Sequence, residues 1–291
     1  MSVTVIGDAF IDLIVPLYGI RRGETYHRKI LMSCGGTANV AIQIAKLGER
    51  AKFIGKVGDD IFGKYFRQNL RRNGVKDLTF VDKENPTGIC VSLVYKDGER
   101  TMIAHRGAND FLTREEIGTH IDNIVSSKIV YISGYSLLSP TNREAVLYVL
   151  EKCHGNCKIY FNPGAPNLVR KEFVDVIQNF VDVLIVNEEE AKAITGKNEV
   201  NEAIKMLSGM VDFVVVTLGK KGCIVSGKEE YSYVKGRQIN AFDTTGAGDA
   251  FAAGFIVGNM RNMDKISCAR LGNKVAVTFL MEKGKKLTNS S

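Results

Sequence analysis

The residues best suited to chemistry lie in one short segment near the C-terminal end of the chain. It reads Asn240-Ala-Phe-Asp-Thr-Thr-Gly-Ala-Gly-Asp249, and a helical run with several small residues, Ala250–Gly258, follows it. Glycines at a helix start let main-chain N–H groups approach a ligand, and the helix terminus adds partial positive charge. The segment therefore predicts an anion site made by Gly246, Ala247 and Gly248.

Asp249 stands beside this predicted site, in the first turn of the helix. A carboxylate cannot itself bind phosphate, but it can accept the proton of a hydroxyl group that attacks phosphorus. The alternative is an aspartate that only stabilises the positive end of the helix. Other nucleotide motifs do not fit, because Gly55-Lys56 continues with Val57 and the third glycine of a dinucleotide fingerprint is replaced by Phe251.

Near the N-terminal end, Gly35 and Gly36 precede Asn39 and an amphipathic pattern over Val40–Leu47. Paired glycines let the main chain close on a small polyol, and the amide of Asn39 can donate to and accept from hydroxyl groups. Asp12, just after the first strand, could accept two more such hydrogen bonds. The alternatives are a helix cap for Asn39 and a solvated loop acid for Asp12.

Two further polar segments follow buried strands in the second half of the chain. Asn187 and Glu190 belong to the first, and Thr217, Gly219 and Gly222 form a tight turn in the second. Ligands of open α/β sheets collect at the C-terminal ends of the strands, so both segments are expected at the site.

The elements that must position these residues alternate between strand and helix. The predicted strands are Val3–Ile6, Lys52–Ile54, Ile129–Ser133, Lys158–Phe161, Val183–Val186 and Phe213–Thr217. The predicted helices are Ile61–Arg72, Arg114–Val125, Arg143–Cys153, Glu172–Phe180 and Glu199–Leu207. This order indicates an α/β fold, a single domain over 1–291 whose mostly parallel sheet has helices on both faces.

Two segments, about 13–32 and 88–105, interrupt the alternation. The second carries Asp97-Gly98 between two strand-like runs, which is a hairpin signal. We expect a small sheet that projects as a lid and excludes water from a reaction; the alternative is an edge hairpin without a role.

Composition excludes several classes of protein. No run approaches the roughly 18 apolar residues of a membrane span, and the N-terminus resembles a strand rather than a signal peptide. The net charge of +7 is spread along the chain, so no nucleic-acid surface is expected. Six scattered cysteines favour a cytoplasmic protein with reduced thiols.

Taken together, the motifs resemble those of the ribokinase-type carbohydrate kinases of the PfkB family, over nearly the whole chain. The segment Asp243–Asp249 matches the family's C-terminal signature, and the diglycine segment that ends at Asn39 is similar to its N-terminal one. The resemblance implies a Rossmann-like three-layer α/β/α body with a β lid that is often shared between subunits, hence a homodimer. It also implies Mg²⁺ with ATP, and a monovalent cation such as K⁺ is a further candidate cofactor.

The resemblance assigns roles residue by residue. The acceptor would be held by Asp12, Gly35, Gly36, Asn39 and Asn109. The nucleotide would be bound by Asn187, Glu190, Thr217, Gly219, Gly222, Thr244 and Asn273, with Glu190 also meeting the metal through water.

Two departures stand out. Counted back from Asn39, the usual diglycine falls on Cys34 and Gly35, and Asn162-Pro163-Gly164 replaces a run that contains an acid and an arginine.

The expected activity is transfer of the γ-phosphate of ATP to a hydroxyl group, in particular a primary CH₂OH, of a small sugar or nucleoside. Asp249 would be the general base beside the anion site. Phe10, Tyr18, Tyr26 and Tyr135 could supply a surface for a nucleoside base, whereas Arg100 and Arg106 are the candidate cations for a sugar phosphate. A sugar-phosphate kinase, a sugar-acid kinase and a catalytically idle nucleotide-binding relative are the alternatives.

Overall fold

The computed structural model describes residues 1–17, 30–95, 100–164, 166–168, 171–227, 231–239 and 244–288. Its strands are β1 (Val3–Ile6), β2 (Ala9–Pro16), β3 (Leu31–Gly36), β4 (Ala51–Ile54), β5 (Lys56–Gly58), β6 (Lys76–Asp77), β7 (Phe80–Asp82), β8 (Gly88–Val94), β9 (Arg100–His105), β10 (Ile129–Ser133), β11 (Lys158–Asn162), β12 (Val183–Asn187), β13 (Phe213–Thr217), β14 (Gly222–Ser226) and β15 (Tyr231–Lys235). Its α-helices are α1 (Ala38–Lys46), α2 (Ile61–Arg72), α3 (Arg114–Gly118), α4 (Ile121–Val125), α5 (Pro140–Cys153), α6 (Lys171–Phe180), α7 (Glu188–Thr195), α8 (Val200–Ser208), α9 (Ala247–Met260) and α10 (Lys265–Thr288).

The main sheet has nine strands in the order β15-β14-β13-β12-β11-β10-β1-β4-β6. Its strands pair in parallel from β6 to β13, whereas β14 pairs antiparallel with β13 and β15 pairs antiparallel with β14. Two hydrophobic clusters cover its two faces, which is why β1 and β10 are buried along their whole length. The three-layer α/β fold with a mostly parallel sheet is thus confirmed.

A second, separate sheet has four strands in the order β3-β2-β8-β9. β2 pairs antiparallel with β3 and in parallel with β8, and β8 pairs antiparallel with β9. The strands lie in the two segments that interrupt the alternation, although β2 and β3 reach beyond them to Ala9 and Gly36. The Asp97-Gly98 turn, Tyr18 and Tyr26 lie outside the described residues. The register places Asp12 directly opposite Ser33 and Cys90.

One predicted helix is wrong as a single element. The segment over Arg114–Val125 forms two short helices, because α3 ends at Gly118 and α4 begins only at Ile121. A capping box fixes the start of α3: the hydroxyl of Thr113 accepts from the N–H of Glu116, and the carboxylate of Glu116 accepts from the N–H of Thr113. The predicted helix over Ile61–Arg72 has the observed bounds of α2.

Helix α9 is held firmly against α10, and this contact positions the site. Ten of its fourteen residues are buried. Its Gly254 packs on the backbone of Gly272 and its Gly258 on Cys268, where an added Cβ would stand 2.8 and 2.9 Å from the nearest atoms. These close contacts hold α9 against α10.

Candidate active site

The segment Thr244–Gly248, called the glycine loop from here on, leads into α9. Gly246 caps the helix with a φ of +84°, a left-handed conformation that suits glycine. A Cβ on this residue would also approach the ring of Phe279 to 3.0 Å. The first N–H groups of a helix have no acceptor within the helix, although the N–H of Ala247 here donates to the carbonyl of Thr244 at 3.1 Å. Asp243 lies outside the described residues.

Asp249 occupies the first turn of α9, as the sequence predicts. The side-chain Nδ2 of Asn39, from α1, donates to its Oδ2 at 3.4 Å, across 210 residues of chain. Burial raises the pKa of Asp249 to about 7, the Asn39 hydrogen bond and Lys283 oppose this rise, and the nearby Asp12 adds to it. A carboxyl group with a pKa near neutrality suits proton transfer at physiological pH.

A cavity of about 410 Å³, called the acidic cavity, opens beside this carboxylate. It lies between the small sheet and the C-terminal ends of the main-sheet strands. The predicted acceptor residues Asp12, Gly36 and Asn39 line it together with Asp249. Further lining residues are Asp8, Phe10, Cys90, Met102, Arg106, Tyr131, Tyr135, Leu138, Asn162 and Thr245.

Gly35 does not line the acidic cavity, but it creates the space for a residue that does. The carboxylate of Asp12 lies directly over Gly35, where an added Cβ would stand 2.1 Å from Oδ1. The two residues belong to neighbouring strands, β2 and β3, of the small sheet. Gly35 therefore leaves the space that the carboxylate of Asp12 occupies.

Asn109 also lies outside the lining of this cavity. Its Oδ1 accepts from the N–H of Ala9 at 2.7 Å, and its Nδ2 donates to the carbonyls of Ala9 and Arg106 at 3.1 and 2.9 Å. The side chain is 2% exposed. In this position Asn109 ties β2 to the segment after β9, and the geometry lends no support to a direct acceptor contact.

Sequence reasoning missed a buried ion cluster in the same cavity. The guanidinium of Arg106 binds both carboxylate oxygens of Asp8 at 2.7 and 3.1 Å, and its Nε donates to Asp110 at 2.6 Å. Asp8 is 3% exposed, and burial raises its pKa while Arg106 lowers it. The sequence gives only a weak indication of this ion pair, because Asp8 and Arg106 are 98 residues apart. The one indication is the position of Asp8 shortly after β1.

A second cavity of about 470 Å³, called the basic cavity, opens on the other side of the glycine loop. It is lined by the predicted nucleotide residues Asn187, Thr217, Gly219, Gly222, Thr244 and Asn273, together with Ala247 and Gly248. Lys220 and Arg237 lie at its polar part, and Ile239, Phe251, Ala276, Val277 and Leu280 form an apolar part that sequence reasoning missed. From the small sheet, Arg100 Nη1 donates to Thr244 Oγ1 at 2.9 Å.

Glu190 lines neither cavity and is 6% exposed. It forms a capping box with Asn187: its Oε2 accepts from the N–H of Asn187 at 2.9 Å, and Asn187 Oδ1 accepts from the N–H of Glu190 at 2.8 Å. Asn162 donates to the same Oε2 at 3.4 Å. Burial raises the pKa of Glu190 to about 7, and Asp249 contributes to that rise. Both hydrogen bonds use Oε2, so Oε1 is the oxygen through which Glu190 could meet a metal-bound water.

Within the described ranges, no group of three or more His, Cys, Asp or Glu side chains could hold a metal ion. The part of the chain that the structure describes also has no helix with the length and apolar character to span a membrane.

In this α/β body, neighbouring residues at one helix terminus line two cavities, an arrangement that could bring two small molecules together. A match to a known family supports this interpretation and covers nearly the whole chain. The model of the pfkB family carbohydrate kinases matches residues 1–290. The chain belongs to this family, and the protein is a phosphotransferase that acts on a hydroxyl group.

Its relatives include sugar kinases and nucleoside kinases. Fructokinase-2 of Solanum habrochaites is 31% identical over 86% of this chain and 79% of its own. Ribokinase of Haemophilus influenzae is 28% identical over 97% and 93%. Among solved structures, adenosine kinase from Sinorhizobium meliloti superposes with a TM-score of 0.89 at 27% identity, covering 96% of this chain and 94% of its own.

Proposed function

We propose that the protein transfers the γ-phosphate of ATP to a primary hydroxyl group of a free sugar or nucleoside, with Asp249 as the general base. One observation carries this proposal. The first turn of α9 separates the two cavities, with Asp249 on the side of the acidic cavity and Ala247 and Gly248 on the side of the basic cavity. A hydroxyl group in one cavity and a phosphate in the other would meet at this turn.

The charges of the two cavities support the same assignment of substrates. The charged side chains lining the basic cavity, among the described residues, are Lys220 and Arg237, which suits an anionic nucleotide. Its apolar part offers a surface for a nucleotide base.

The acidic cavity carries Asp8, Asp12 and Asp249 against the single guanidinium of Arg106, which is already bound by Asp8 and Asp110. This balance of charge favours an uncharged polyol over a sugar phosphate or a sugar acid, because the excess of carboxylates would repel an anionic acceptor.

In the proposed mechanism, Asp12 and Asn39 orient the hydroxyl groups of the acceptor and Asp249 takes the proton from the attacking one. The N–H groups of the glycine loop stabilise charge on the transferring phosphoryl group. Family kinases use ATP with Mg²⁺, which would neutralise charge on the phosphates, and Glu190 and Asn187 would be the residues that orient it. The small sheet would act as a lid that excludes water.

A general base contributes about 10²–10⁴-fold to the rate. Asp249→Asn should therefore lower kcat by this order, while the affinity for ATP changes little because the side chain faces the acidic cavity. Coupled assays with free sugars and nucleosides, and with sugar phosphates and sugar acids as the competing class, would identify the acceptor. A variant that keeps most of its turnover would show that Asp249 is not the base.

A nucleoside acceptor has one specific observation in its favour. Phe10 and Tyr135, two of the aromatic residues proposed as a base surface, both line the acidic cavity beside Met102 and Leu138. Phe10→Ala should then raise KM for a nucleoside much more than for a free hexose, whereas a free-sugar kinase would show the same change for both.

Two expectations concern the protein as a whole. All six cysteines are buried free thiols, which fits the expected cytoplasmic location. β9 is an edge strand whose six residues are all exposed, so it could pair with a second copy in the expected homodimer. Light scattering that gives the mass of one chain at micromolar concentration would contradict the dimer.

A further inference from the structure

A lysine of the last helix contacts the glycine loop and lines neither the acidic cavity nor the basic cavity. Lys283, on α10, donates from Nζ to the carbonyl oxygen of Thr245 at 3.0 Å. The side chain is half-buried. Thr245 lines the acidic cavity and its neighbour Thr244 lines the basic cavity, so the ammonium group binds the loop at the point where the cavities meet.

This contact determines the direction of an N–H group as well as of a carbonyl. The carbonyl of Thr245 and the N–H of Gly246 belong to one planar trans peptide unit, in which the two groups point in opposite directions. An ammonium that holds the carbonyl therefore keeps the N–H of Gly246 turned the other way. Gly246 supplies the left-handed φ that this loop shape needs.

The charge of Lys283 also affects the pKa of the candidate base, Asp249. Lys283 lowers the pKa of Asp249, against the rise caused by burial and by Asp12. The other groups that face Asp249 are Asn39 from α1, which donates to it, and Tyr131 and Glu190, whose own pKa values its charge raises. Lys283 is the cation within this set.

Ammonium groups and monovalent metal ions bind the same kind of partner. K⁺ is held in proteins by rings of carbonyl oxygens, and a K⁺ ion at the glycine loop would compete with Lys283 for the oxygen of Thr245. The ammonium group of Lys283 and a K⁺ ion bound to the same oxygen would also repel each other. A dissociable cation thus fits this oxygen poorly.

We propose that Lys283 is a positioning residue that takes the part of a monovalent cation: it fixes the Thr245–Gly246 peptide and supplies permanent positive charge while the phosphoryl group is transferred. The inference rests on the proposed function, in which the glycine loop receives that group. It makes the activity independent of added K⁺.

The test compares Lys283→Met, Lys283→Gln and Lys283→Arg with Lys274→Met, an exposed lysine of the same helix, as the matched control. Each protein is assayed with tetramethylammonium as the only monovalent cation, and again with KCl or NH₄Cl.

We expect the wild type to have the same kcat in all buffers. Lys283→Met and Lys283→Gln should lose about 10- to 100-fold in kcat, as for a lost charge-assisted hydrogen bond, and should regain part of it with K⁺ or NH₄⁺, whereas Lys283→Arg and Lys274→Met keep most of their activity.

Two readouts separate this role from a purely structural one. Loss of the Lys283 charge should move the acidic limb of the kcat/KM profile to higher pH, because that charge lowers the pKa of Asp249. Calorimetry with a non-hydrolysable ATP analogue should show weaker binding to Lys283→Met in tetramethylammonium than in K⁺, without any turnover.

Several results would overturn the proposal. If the wild-type protein requires K⁺ for activity, the proposal is wrong. This measurement needs no variant, so it remains decisive even if a substitution prevents folding. Folded Lys283→Met and Lys283→Gln variants with unchanged kcat and an unshifted pH profile would also overturn the proposal. If Asp249→Asn abolishes turnover while Lys283→Met does not change it, only this inference fails; if Asp249→Asn stays active, the proposed function itself fails.

Discussion

Asp249→Asn should make the protein more stable at alkaline pH while it removes activity. In the folded protein the pKa of Asp249 is raised to about 7, against about 3.9 for an aspartate in an unfolded chain. The folded state therefore binds this proton more tightly. Its stabilising effect is fully present below about pH 4 and is lost as the pH rises through about 7, where the folded protein must hold a desolvated charge.

The size of the effect follows from the difference between the two pKa values. Three units correspond to at most about 4 kcal/mol, at 1.36 kcal/mol per unit. Because the side chain is only partly buried and faces the acidic cavity, solvent in the cavity reduces this, and we expect about 1–2 kcal/mol. Asparagine has no charge to desolvate and can still accept from Asn39 through Oδ1. A gain of about 2–5 °C in Tm at pH 8.5 follows for a chain of this length.

The assay is thermal unfolding of both proteins from about pH 4 to about pH 9 without ligands. The difference in Tm should grow from about pH 4 to about pH 7, where only the unfolded chain has lost this proton, and stay nearly constant at higher pH. Glu190, whose pKa is also raised to about 7, is present in both proteins, so most of its contribution cancels. A difference that is constant with pH, or a variant that is less stable at pH 8.5, would refute the argument that burial holds this carboxyl group at a high pKa.

Three further substitutions test separate parts of the structure. Tyr160 is fully buried, and its hydroxyl has no hydrogen-bond partner among the described residues, so Tyr160→Phe should raise the free energy of unfolding by about 1 kcal/mol in chemical denaturation; a clear loss would reveal a partner. Gly35→Ala should displace Asp12 and raise KM for the acceptor at least tenfold with KM for ATP unchanged, and equal changes in both would indicate general distortion. Asn39→Ala should weaken acceptor binding more than ATP binding and, by removing a hydrogen bond that lowers the pKa of Asp249, move the acidic limb of the kcat/KM profile to higher pH; no shift would mean that the hydrogen bond does not form in solution.

The elements that could be predicted from the sequence are those with a strong local pattern. The buried strands Val3–Ile6, Ile129–Ser133 and Phe213–Thr217 are short β-branched or apolar runs, and the structure has them with the predicted bounds. The hairpin β14–β15 was not predicted. Its second strand, Tyr231–Lys235, is mostly exposed at the edge of the sheet, so it lacks the continuous apolar run that marks a buried strand.

The residues of the candidate site also fall into those with a local sequence pattern and those without one. The glycine loop and the turn at Thr217 could be located because glycine spacing is a local signal. Thr244, Ala247 and Gly248 of the loop line the basic cavity together with that turn. The pair Asp8–Arg106 and the contact of Lys283 with Thr245 depend on side chains that meet only in the folded chain. No pattern along the sequence announces such pairs, because their spacing is set by the order of the strands.

The packing of Asp12 on Gly35 has a consequence for how this enzyme could acquire another acceptor. The carboxylate fills the volume that any side chain at position 35 would need, so the two positions cannot vary independently. A larger residue at position 35 therefore needs a smaller or displaced side chain at position 12. A redesign of the acidic cavity that enlarges residue 35 therefore has to treat positions 12 and 35 as one unit.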